Sequence, residues 1–364
     1  MASGETIERR RRAKLSAVLP HEWIFGTFLL LTALRLGFAG NVAQPWSCVF
    51  FACLLAAIGA FYWTERNPTP WRWRVRLLLY PAIMGISFYA MGTAVPLLGN
   101  DKVDGLLLGW DRALVGETPA LAWQYWLHPG LADLAMAGYL FFFFYLVVGP
   151  AVYCVTDLRL FRKCIVGLFT MYGLAFTGYT LLPAGGPWRW MDFATPLEGA
   201  FLLDWTLPTV NAGSNAIDVF PSVHVAATLY LLLFDWQHGR RRFWLYLLPC
   251  LVLWWSTMYL RFHYFVDLLG GIAVALAGWT MAMQYDVASR TEHGQWLEEG
   301  TLLRRLVPRL DRAGTLLSVA LVAVLVAAVL LQLILSGTVL QAKEEARRNS
   351  GNRSEPAPSE LSED

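Results

Sequence analysis

The sequence is a succession of long apolar runs separated by short polar segments. A membrane hydrocarbon core of ~30 Å is crossed by roughly 20 helical residues. The sixth run below is short, and we include it because it begins on a Pro-Ser-x-His segment, where a helix can extend into a protein-lined cavity. The pattern predicts an all-α fold, a polytopic transmembrane helical bundle of about nine spans at 23–39, 46–63, 77–98, 134–155, 165–182, 223–236, 243–260, 265–283 and 316–335.

The composition also favours a membrane protein. Hydrophobic residues make up 56% of the 364 positions and charged residues 15%, whereas charged residues are about a quarter of a typical soluble chain. The net charge of +2 is small, and no nucleic-acid partner is expected. The five cysteines lack CxxC or Cys/His ligand spacing, so we predict no disulfide, no metal site and no cofactor. The expected partners are membrane lipids, and the oligomeric state is left open.

Basic residues predict the orientation of the spans, because short cytoplasmic loops carry an excess of Lys and Arg. With a cytoplasmic amino terminus, the segments 99–132 and 184–220 lie on the opposite side, together with the end of the seventh run. Every basic cluster then falls on the cytoplasmic side: Arg9 to Arg12; Arg66, Arg72, Arg74 and Arg76; Arg159, Arg162 and Lys163; Arg240 to Arg242; Arg290, Arg304, Arg305, Arg309 and Arg312.

The segment 101–126 mixes charged residues with leucines and tryptophans. This mixture is typical of amphipathic helices that lie in the membrane interface. Two roles are open for it, a lid that shapes lipid access and a structural plug over the bundle. At the other end of the chain, 341–364 is rich in Glu, Ser, Arg and Pro, which predicts a disordered tail.

The first candidate chemical pair is His263 and Asp267, in the segment Ser-Thr-Met-Tyr-Leu-Arg-Phe-His-Tyr-Phe-Val-Asp at 256–267. Ionisable residues at the edge of a membrane span are costly and are commonly functional. On a helix, residues four apart share a face, so Asp267 can accept a hydrogen bond from one ring nitrogen of His263. The other nitrogen is then available as a nucleophile or a base.

A second histidine occurs in Phe220-Pro221-Ser222-Val223-His224, at the start of the sixth run. Pro221 suits an early helical position, so Ser222 is expected at a helix amino terminus, where a hydroxyl and backbone amides face an anion. With the predicted orientation, His224 and His263 lie on the same side of the membrane. We therefore expect one shared site.

A glycine-rich turn follows the fifth run, in Leu-Pro-Ala-Gly-Gly-Pro-Trp-Arg-Trp at 182–190. Glycines such as Gly186 allow backbone amides to approach an anion. Arg189 adds a positive charge, although it has an alternative role as a loop anchor between Trp188 and Trp190. Three elements are thus expected to converge on one phosphate-sized anion.

In these motifs the chain resembles the type 2 phosphatidic acid phosphatase (PAP2) superfamily, over roughly 101–271. It is most similar to the branch containing inositol phosphorylceramide synthases, which share a Tyr-Leu-x-x-His-Tyr-Phe-Val-Asp pattern met here at 259–267. The resemblance implies a six-helix catalytic core in which His263 attacks phosphorus, Asp267 orients His263, and His224 protonates the leaving oxygen. The implied substrates are phospholipids, sphingolipids or polyprenyl phosphates.

The resemblance also implies a set of phosphate-binding residues: Ser222, Arg189, Ser256, Arg261 and Gly186. Ser256 stands seven residues before His263, as the family's third-motif serine does. The superfamily has an Arg directly after that serine, whereas this chain has Thr257, and its Arg261 lies two residues before the histidine. On one continuous helix Arg261 would point about 200° away from His263. It contributes only if the helix begins later or bends.

The expected domain organisation follows from these assignments. It comprises a cytoplasmic basic arm (1–20), amino-terminal transmembrane helices (21–98), a PAP2-like catalytic membrane domain including the interfacial helices (99–285), a cytoplasmic loop with the last transmembrane helix (286–340), and the disordered tail (341–364).

Three classes of function remain open. The favoured class is a metal-independent enzyme acting through His263, either a lipid phosphatase with water as acceptor or a phosphotransferase such as an inositol phosphorylceramide synthase-like headgroup transferase. The others are a membrane transporter, which would need polar or broken helices at the membrane midplane, and a catalytically silent structural membrane protein. His224, His263 and Asp267 would alternatively form a two-His-one-carboxylate metal site. We predict a bacterial plasma membrane with the active site outside, although the topology fits a Golgi membrane equally well.

Overall fold

The computed structural model describes residues 18–39 and 45–292. Most of the predicted basic arm, the ninth apolar run and the tail lie outside these residues. Every regular element in the two described ranges is helical. In chain order the helices are α1 (Pro20–Ala39), α2 (Pro45–Arg66), α3 (Pro70–Ala94), α4 (Asp104–Val115), α5 (Pro119–Ala122), α6 (Pro129–Thr156), α7 (Leu158–Leu181), α8 (Pro187–Trp190), α9 (Leu202–Gly213), α10 (Val223–His238), α11 (Arg240–Tyr259) and α12 (Phe265–Glu292).

The fold is a helical membrane bundle, as the apolar runs predict. Among the described helices, α10 has 16 residues and is short for a span. Helix α11 has 20 residues but opens on three arginines and is rich in Trp and Tyr. Both pack against other helices of the bundle. The helices that are long and apolar enough to cross a membrane are Pro20–Ala39, Pro45–Arg66, Pro70–Leu98, Pro129–Thr156, Leu158–Leu181 and Phe265–Tyr285.

Local sequence signals explain where several helices begin. Thr69 accepts a hydrogen bond from the amide of Arg72 ahead of α3. Asp157 accepts from the first amides of α7, and Ser222 accepts from the amide of Val225 at the start of α10. Side chains of this kind satisfy amide groups that have no partner within the helix. Proline stands at the first position of α1, α2, α3 and α6, where its missing N–H costs nothing.

Helix α7 is the centre of the bundle. Most of its side chains are buried, and it packs against both α1 and α12. Helix α12 also packs closely on α10. This approach depends on Gly271, because a Cβ at that position would lie 2.5 Å from the carbonyl oxygen of Ser222. The close packing brings the two histidine motifs together.

Arg74, Arg162 and Arg242 lie at one end of the bundle and the histidine motifs at the other. Arg74 at the start of α3 donates to the carbonyl of Cys154 near the end of α6, at 2.8 Å. The guanidinium of Arg162 stacks on Trp73, 4.1 Å from the ring centroid. His224 lies in the first turn of α10 and Asp235 lies near its other end. Because Arg242 pairs with Asp235, this basic end is remote from the histidines.

Candidate active site

The segment that carries His263 is a tight connection between two helices. Helix α11 ends at Tyr259, and the backbone reverses at Arg261, whose φ is +67°. The amides of Phe262 and His263 both donate to the carbonyl of Thr257, at 2.9 and 3.0 Å. Helix α12 begins at Phe265. His263 therefore precedes the helix that carries Asp267, and the two residues are not on one continuous helix.

His263 and Asp267 nevertheless meet as predicted from their spacing. The Nδ1 atom of His263 lies 3.3 Å from Oδ2 of Asp267. The same oxygen accepts a hydrogen bond of 2.7 Å from the amide of Tyr264, which fixes the carboxylate. His263 is 2% exposed and Asp267 is fully buried. A carboxylate on Nδ1 favours the tautomer with the proton on that atom, so Nε2 carries the lone pair.

The lone pair of His263 faces His224. The Nδ1 atom of His224 is 3.1 Å from Nε2 of His263. The ring of His224 packs against the rings of Tyr139 and Phe142 on α6, with centroid distances of 4.7 and 4.6 Å. These aromatic contacts hold the imidazole of His224 against Nε2 of His263. The two motifs, 39 residues apart in the chain, thus form one site.

Ser222 joins the same cluster. Its hydroxyl lies 3.4 Å from Nε2 of His263 and also caps α10. Its own amide donates to the carbonyl of Asp267 at 3.0 Å. Ser222 is fully buried. The hydroxyl therefore combines helix capping with a position beside the reactive nitrogen, and the first turn of α10 points its amides towards the site.

Burial favours the uncharged form of His263. It lowers the pKa of this histidine to about 4, whereas the carboxylate of Asp218 acts in the opposite direction and raises the pKa. The pKa of Asp218 is itself raised, mainly by burial, and the hydroxyl of Ser214 donates to its Oδ1 at 3.0 Å. Near neutral pH His263 is therefore uncharged. An uncharged imidazole has the lone pair that a nucleophile needs.

The glycine turn abuts the backbone beside His263. Gly186 has φ +84° and ψ 163°, a conformation that favours glycine, and a Cβ there would lie 2.4 Å from the carbonyl oxygen of Phe262. Its amide donates to Oδ1 of Asp104 at 2.8 Å, and the amide of Gly185 donates to Oδ2 at 2.9 Å. Both amides are thus engaged by a carboxylate of the protein.

Two cationic side chains flank the glycine turn. Arg189 stacks on Trp188, and its Nη2 atom lies 3.4 and 3.5 Å from the carbonyls of Asn211 and Ser214. A Cβ built on Gly185 would lie 3.3 Å from Nζ of Lys102 and 3.5 Å from Cβ of Arg189. The turn therefore has two cationic side chains close to Gly185.

The other two predicted phosphate-binding residues point elsewhere in this structure. The hydroxyl of Ser256 donates to the carbonyl of Leu253 within α11, at 2.7 Å. Arg261 donates to the carbonyl of Thr195 at 2.6 Å and stacks on Phe193. Neither side chain makes a hydrogen bond to His263, and their roles at phosphate stay predictions.

Sequence reasoning missed several residues of the site. Lys102 and Asp218 stand in loops, where no spacing rule identifies them. Asp104 and Asp111 carried a usable signal, because they share the apolar face of α4 with Leu107 and all three are fully buried. A carboxylate on an apolar helix face requires partners, which is a sign of a specific contact.

The metal alternative can be examined against the donor set. In residues 18–39 and 45–292, no group of three or more His, Cys, Asp or Glu side chains has an arrangement that would hold a metal ion. His263 directs Nδ1 at Asp267 and Nε2 at His224, so its two nitrogens face protein partners.

Comparisons with known proteins bear on this geometry. Inositol phosphorylceramide synthase from Candida albicans is 45% identical over 58 residues, which are 16% of this chain and only 12% of that protein's own length. No solved structure gives a match. Residues 105–281 match the PAP2 superfamily, and this range contains both histidine motifs. Over these residues the chain is similar to the PAP2 superfamily, and the two similarities together support a lipid phosphatase or phosphotransferase family.

Proposed function

We propose that the protein cleaves a phosphate ester of a membrane lipid by forming a phosphohistidine on His263. The observation that carries the proposal is the environment of Nε2. This atom lies within 3.4 Å of both His224 and Ser222, while Asp267 holds the opposite nitrogen. A buried, uncharged imidazole backed by a carboxylate is an activated nucleophile.

In the first step the lone pair on Nε2 of His263 attacks phosphorus. The P–N bond forms as the bond from phosphorus to the lipid oxygen breaks, and the leaving oxygen takes a proton from the imidazolium form of His224, which becomes neutral. The positive charge that develops on the His263 ring is stabilised by the carboxylate of Asp267, which accepts a hydrogen bond from Nδ1–H. General acid catalysis of this kind contributes about 10²–10⁴-fold.

In the second step an acceptor hydroxyl attacks the phosphorus of the phosphohistidine. His224, now deprotonated, takes the proton of that hydroxyl as the new P–O bond forms and the P–N bond breaks. Water as the acceptor gives a phosphatase, and an alcohol gives a phosphotransferase. The same two histidines serve both outcomes, so the acceptor is decided by the pocket.

The negative charge of the phosphate needs nearby cations and donors. Ser222 and the amino terminus of α10 supply donors beside Nε2. Arg189 and Lys102, which both lie close to Gly185, are the cations that we assign to phosphate oxygens. We keep Ser256, Arg261 and Gly186 as predicted contributors that would have to exchange their present partners.

We place the site on the non-cytoplasmic face of a plasma membrane. The support is the gathering of Arg74, Arg162 and Arg242 at the bundle end opposite His263, together with the positive-inside rule. The substrate is then a phosphorylated lipid, a phospholipid, a sphingolipid or a polyprenyl phosphate, that reaches the site from the outer leaflet. A bacterial plasma membrane remains our prediction for the source.

Headgroup transfer is the second candidate, and the similarity to an inositol phosphorylceramide synthase favours it. In that reaction a phospho-headgroup passes through His263 to a lipid or polyol hydroxyl. The geometry around Nε2 serves both candidates. They differ in the donor, a phosphate monoester for the phosphatase and a phosphodiester for headgroup transfer, and in what attacks the phosphohistidine.

The deciding experiment measures phosphate release from the purified protein with a lipid monophosphate in chelator, with and without a large excess of a lipid or polyol alcohol. Phosphate release that is indifferent to the alcohol establishes a phosphatase. A new phosphate monoester of the alcohol, formed at the expense of free phosphate and lost in His263→Ala, establishes a phosphotransferase.

Two other outcomes would overturn the proposal. Inactivation by EDTA that one divalent ion reverses would replace metal independence with a metal-assisted reaction. Failure of every lipid monophosphate and phosphodiester to label or turn over, in protein that remains folded, would favour a transporter or a silent structural protein.

A further inference from the structure

Helix α4 contains two carboxylates that face the interior. Asp104 and Asp111 are seven residues apart, which is close to two helical turns, so they share one face of α4. Both are fully buried. A buried carboxylate is stable only when it is paired or accepts hydrogen bonds. The partners of these two residues lie on the elements that build the active site.

Asp104 connects the glycine turn to the residue after His263. Its two oxygens accept from the amides of Gly185 and Gly186, and Oδ1 also accepts from the hydroxyl of Tyr264 at 3.1 Å. The amide of Tyr264 donates in turn to Asp267, the partner of His263. Tyr264 is fully buried. It therefore links Asp104 to the carboxylate that orients the nucleophile.

Asp111 fixes the start of the helix that carries Asp267. Its Oδ2 atom accepts from the amide of Phe265 at 2.9 Å and from the hydroxyl of Thr118 at 2.7 Å. Its Oδ1 atom accepts from the amide of Val266 at 2.9 Å. These amides are the first two of α12, which have no partner inside that helix. Asp111 thus acts as an amino-terminal cap supplied by another helix.

We propose that Asp104 and Asp111 are positioning residues that set the location of His263, and that α4 is a fixed part of the active site. This inference rests on the proposed phosphohistidine reaction and adds to it. The α4 helix contacts neither nitrogen of His263, so its effect passes through Tyr264 and the start of α12. The sequence left two roles open for the segment 101–126, a lid and a plug. The positioning of His263 is a third role.

The effect on rate follows from the geometry of nucleophilic attack. A displacement of ~1 Å at a reacting group can cost on the order of 10²-fold in rate. Two contacts with α4 hold the segment of Tyr264, the Asp104–Tyr264 hydrogen bond and the Asp111 cap on α12. If the Asp104–Tyr264 bond is lost, the amide of Tyr264 and the neighbouring imidazole of His263 keep only the second. The chemical step should slow, whereas the binding of lipid, which depends mainly on its apolar chains, should change little.

The test is a pair of double-mutant cycles on matched carboxylate–tyrosine bonds. The first cycle combines Asp104→Asn with Tyr264→Phe. The control combines Asp235→Asn with Tyr145→Phe, because the hydroxyl of Tyr145 donates to Asp235 at 2.9 Å. Asp235 follows His224 by eleven residues on α10, roughly 16 Å along the helix. Each variant is measured for kcat, KM, the rate of phosphoenzyme formation and the midpoint temperature of unfolding.

We expect Tyr264→Phe to slow phosphoenzyme formation by about tenfold or more, with KM nearly unchanged. The first cycle should show coupling in rate as well as in stability, because both substitutions break the same bond. The control cycle should show coupling in stability alone. Equal rates for Tyr264→Phe and Tyr145→Phe would overturn the inference. If Asp104→Asn does not fold, the comparison of the two tyrosine variants decides.

A measurement that needs no turnover separates this inference from the proposed reaction. In protein labelled with ¹⁵N-histidine, the Nδ1 proton resonance of His263, assigned with His263→Gln, reports its hydrogen bond to Asp267. It should shift in Tyr264→Phe and stay in place in Tyr145→Phe. An inactive wild type with this pattern would refute the phosphohistidine proposal and leave the positioning role standing. Two unchanged resonances would refute the positioning role.

Discussion

Helix α10 carries a buried ionisable cluster at each end, and the two clusters are built differently. At the end remote from the site, Asp235 accepts from the hydroxyls of Tyr145 and Tyr153 at 2.9 and 2.6 Å, and from Arg242 at 2.7 Å. Both carboxylate oxygens are used. The charge is paired, and the donors come from α6 and α11, so the cluster ties three helices together.

At the other end, the cluster around His263 is more loosely connected. The contacts of this imidazole with His224, Asp267 and Ser222 measure 3.1, 3.3 and 3.4 Å. Among the described residues, Oδ1 of Asp267 is buried without a hydrogen-bond partner. Catalytic hydrogen bonds are commonly long before substrate binds and tighten in the complex.

The difference separates a structural cluster from a functional one. Hydrogen-bonded, paired charges such as those around Asp235 stabilise a fold, and removing one partner leaves the other charge uncompensated. Incompletely paired groups such as those around His263 cost stability, and perturbed groups of this kind cluster at functional sites, as we propose for His263. Substitutions at the two ends should therefore affect different quantities, rate at one end and stability at the other.

The largest effect is expected from His263→Ala. Removal of the nucleophile should lower turnover on the order of 10⁴-fold or more and abolish covalent labelling by a ³²P-labelled lipid phosphate. The matched change at the other end, Asp235→Asn, should lower the free energy of unfolding by about 1–3 kcal/mol and leave kcat within about twofold. A folded Asp235→Asn variant that loses labelling would break the comparison.

The next largest effect is expected from His224→Ala, and its size should depend on the leaving group. His224→Ala should slow cleavage of an alkyl phosphate by about 10²–10⁴-fold, because the alkoxide leaving group needs a proton. An aryl phosphate with an acidic phenol as leaving group should lose much less. The measurement is the rate of phosphoenzyme formation with both esters. Equal losses would assign His224 to the binding of equatorial phosphate oxygens, with no role as the acid.

Much of the fold could be predicted from the sequence, because long apolar runs indicate membrane helices. The contact of His263 with Asp267 could be predicted as well. The two residues are four apart in the sequence, and their side chains meet even though His263 precedes α12. The meeting of His224 with His263 followed from orientation, because both motifs stand at the same end of the bundle.

The supporting contacts were not accessible. Arg261 takes φ +67° and turns towards Thr195, a conformation that helical spacing does not predict. The partner of Gly185 and Gly186 is Asp104, about eighty residues earlier, and no local rule connects them. Long-range pairs of this kind depend on tertiary packing, which the sequence pattern does not encode locally.

A smaller effect should come from Gly186→Ala, which alters the backbone behind His263. Alanine would adopt an unfavourable φ and place Cβ 2.4 Å from the carbonyl oxygen of Phe262. Strain at such a position costs on the order of 1–3 kcal/mol. We expect a lower free energy of unfolding together with a lower rate, because Phe262 precedes the nucleophile.

The control is Gly109→Ala within α4, where no heavy atom lies within 4 Å of the added Cβ. This change should be neutral or stabilising by up to about 1 kcal/mol, since alanine favours helix. Both variants are compared by denaturant unfolding in detergent and by kcat. If Gly186→Ala and Gly109→Ala behave alike, the glycine turn does not hold the segment of His263.

The smallest expected effect is a shift in the pH dependence of kcat/KM in Asp218→Asn, because the carboxylate of Asp218 affects the pKa of His263. Only the uncharged imidazole attacks phosphorus, so kcat/KM should fall as pH drops through the His263 pKa of about 4, and not through the ordinary value of 6.5. The carboxylate of Asp218 favours the protonated ring and raises this pKa. Asp218→Asn should therefore lower the pKa of His263 and move the acid limb to lower pH. Asp235→Asn should leave that limb in place, because Asp235 lies at the far end of α10. An acid limb that moves to higher pH in Asp218→Asn would mean that His263 is not the group whose protonation limits the rate.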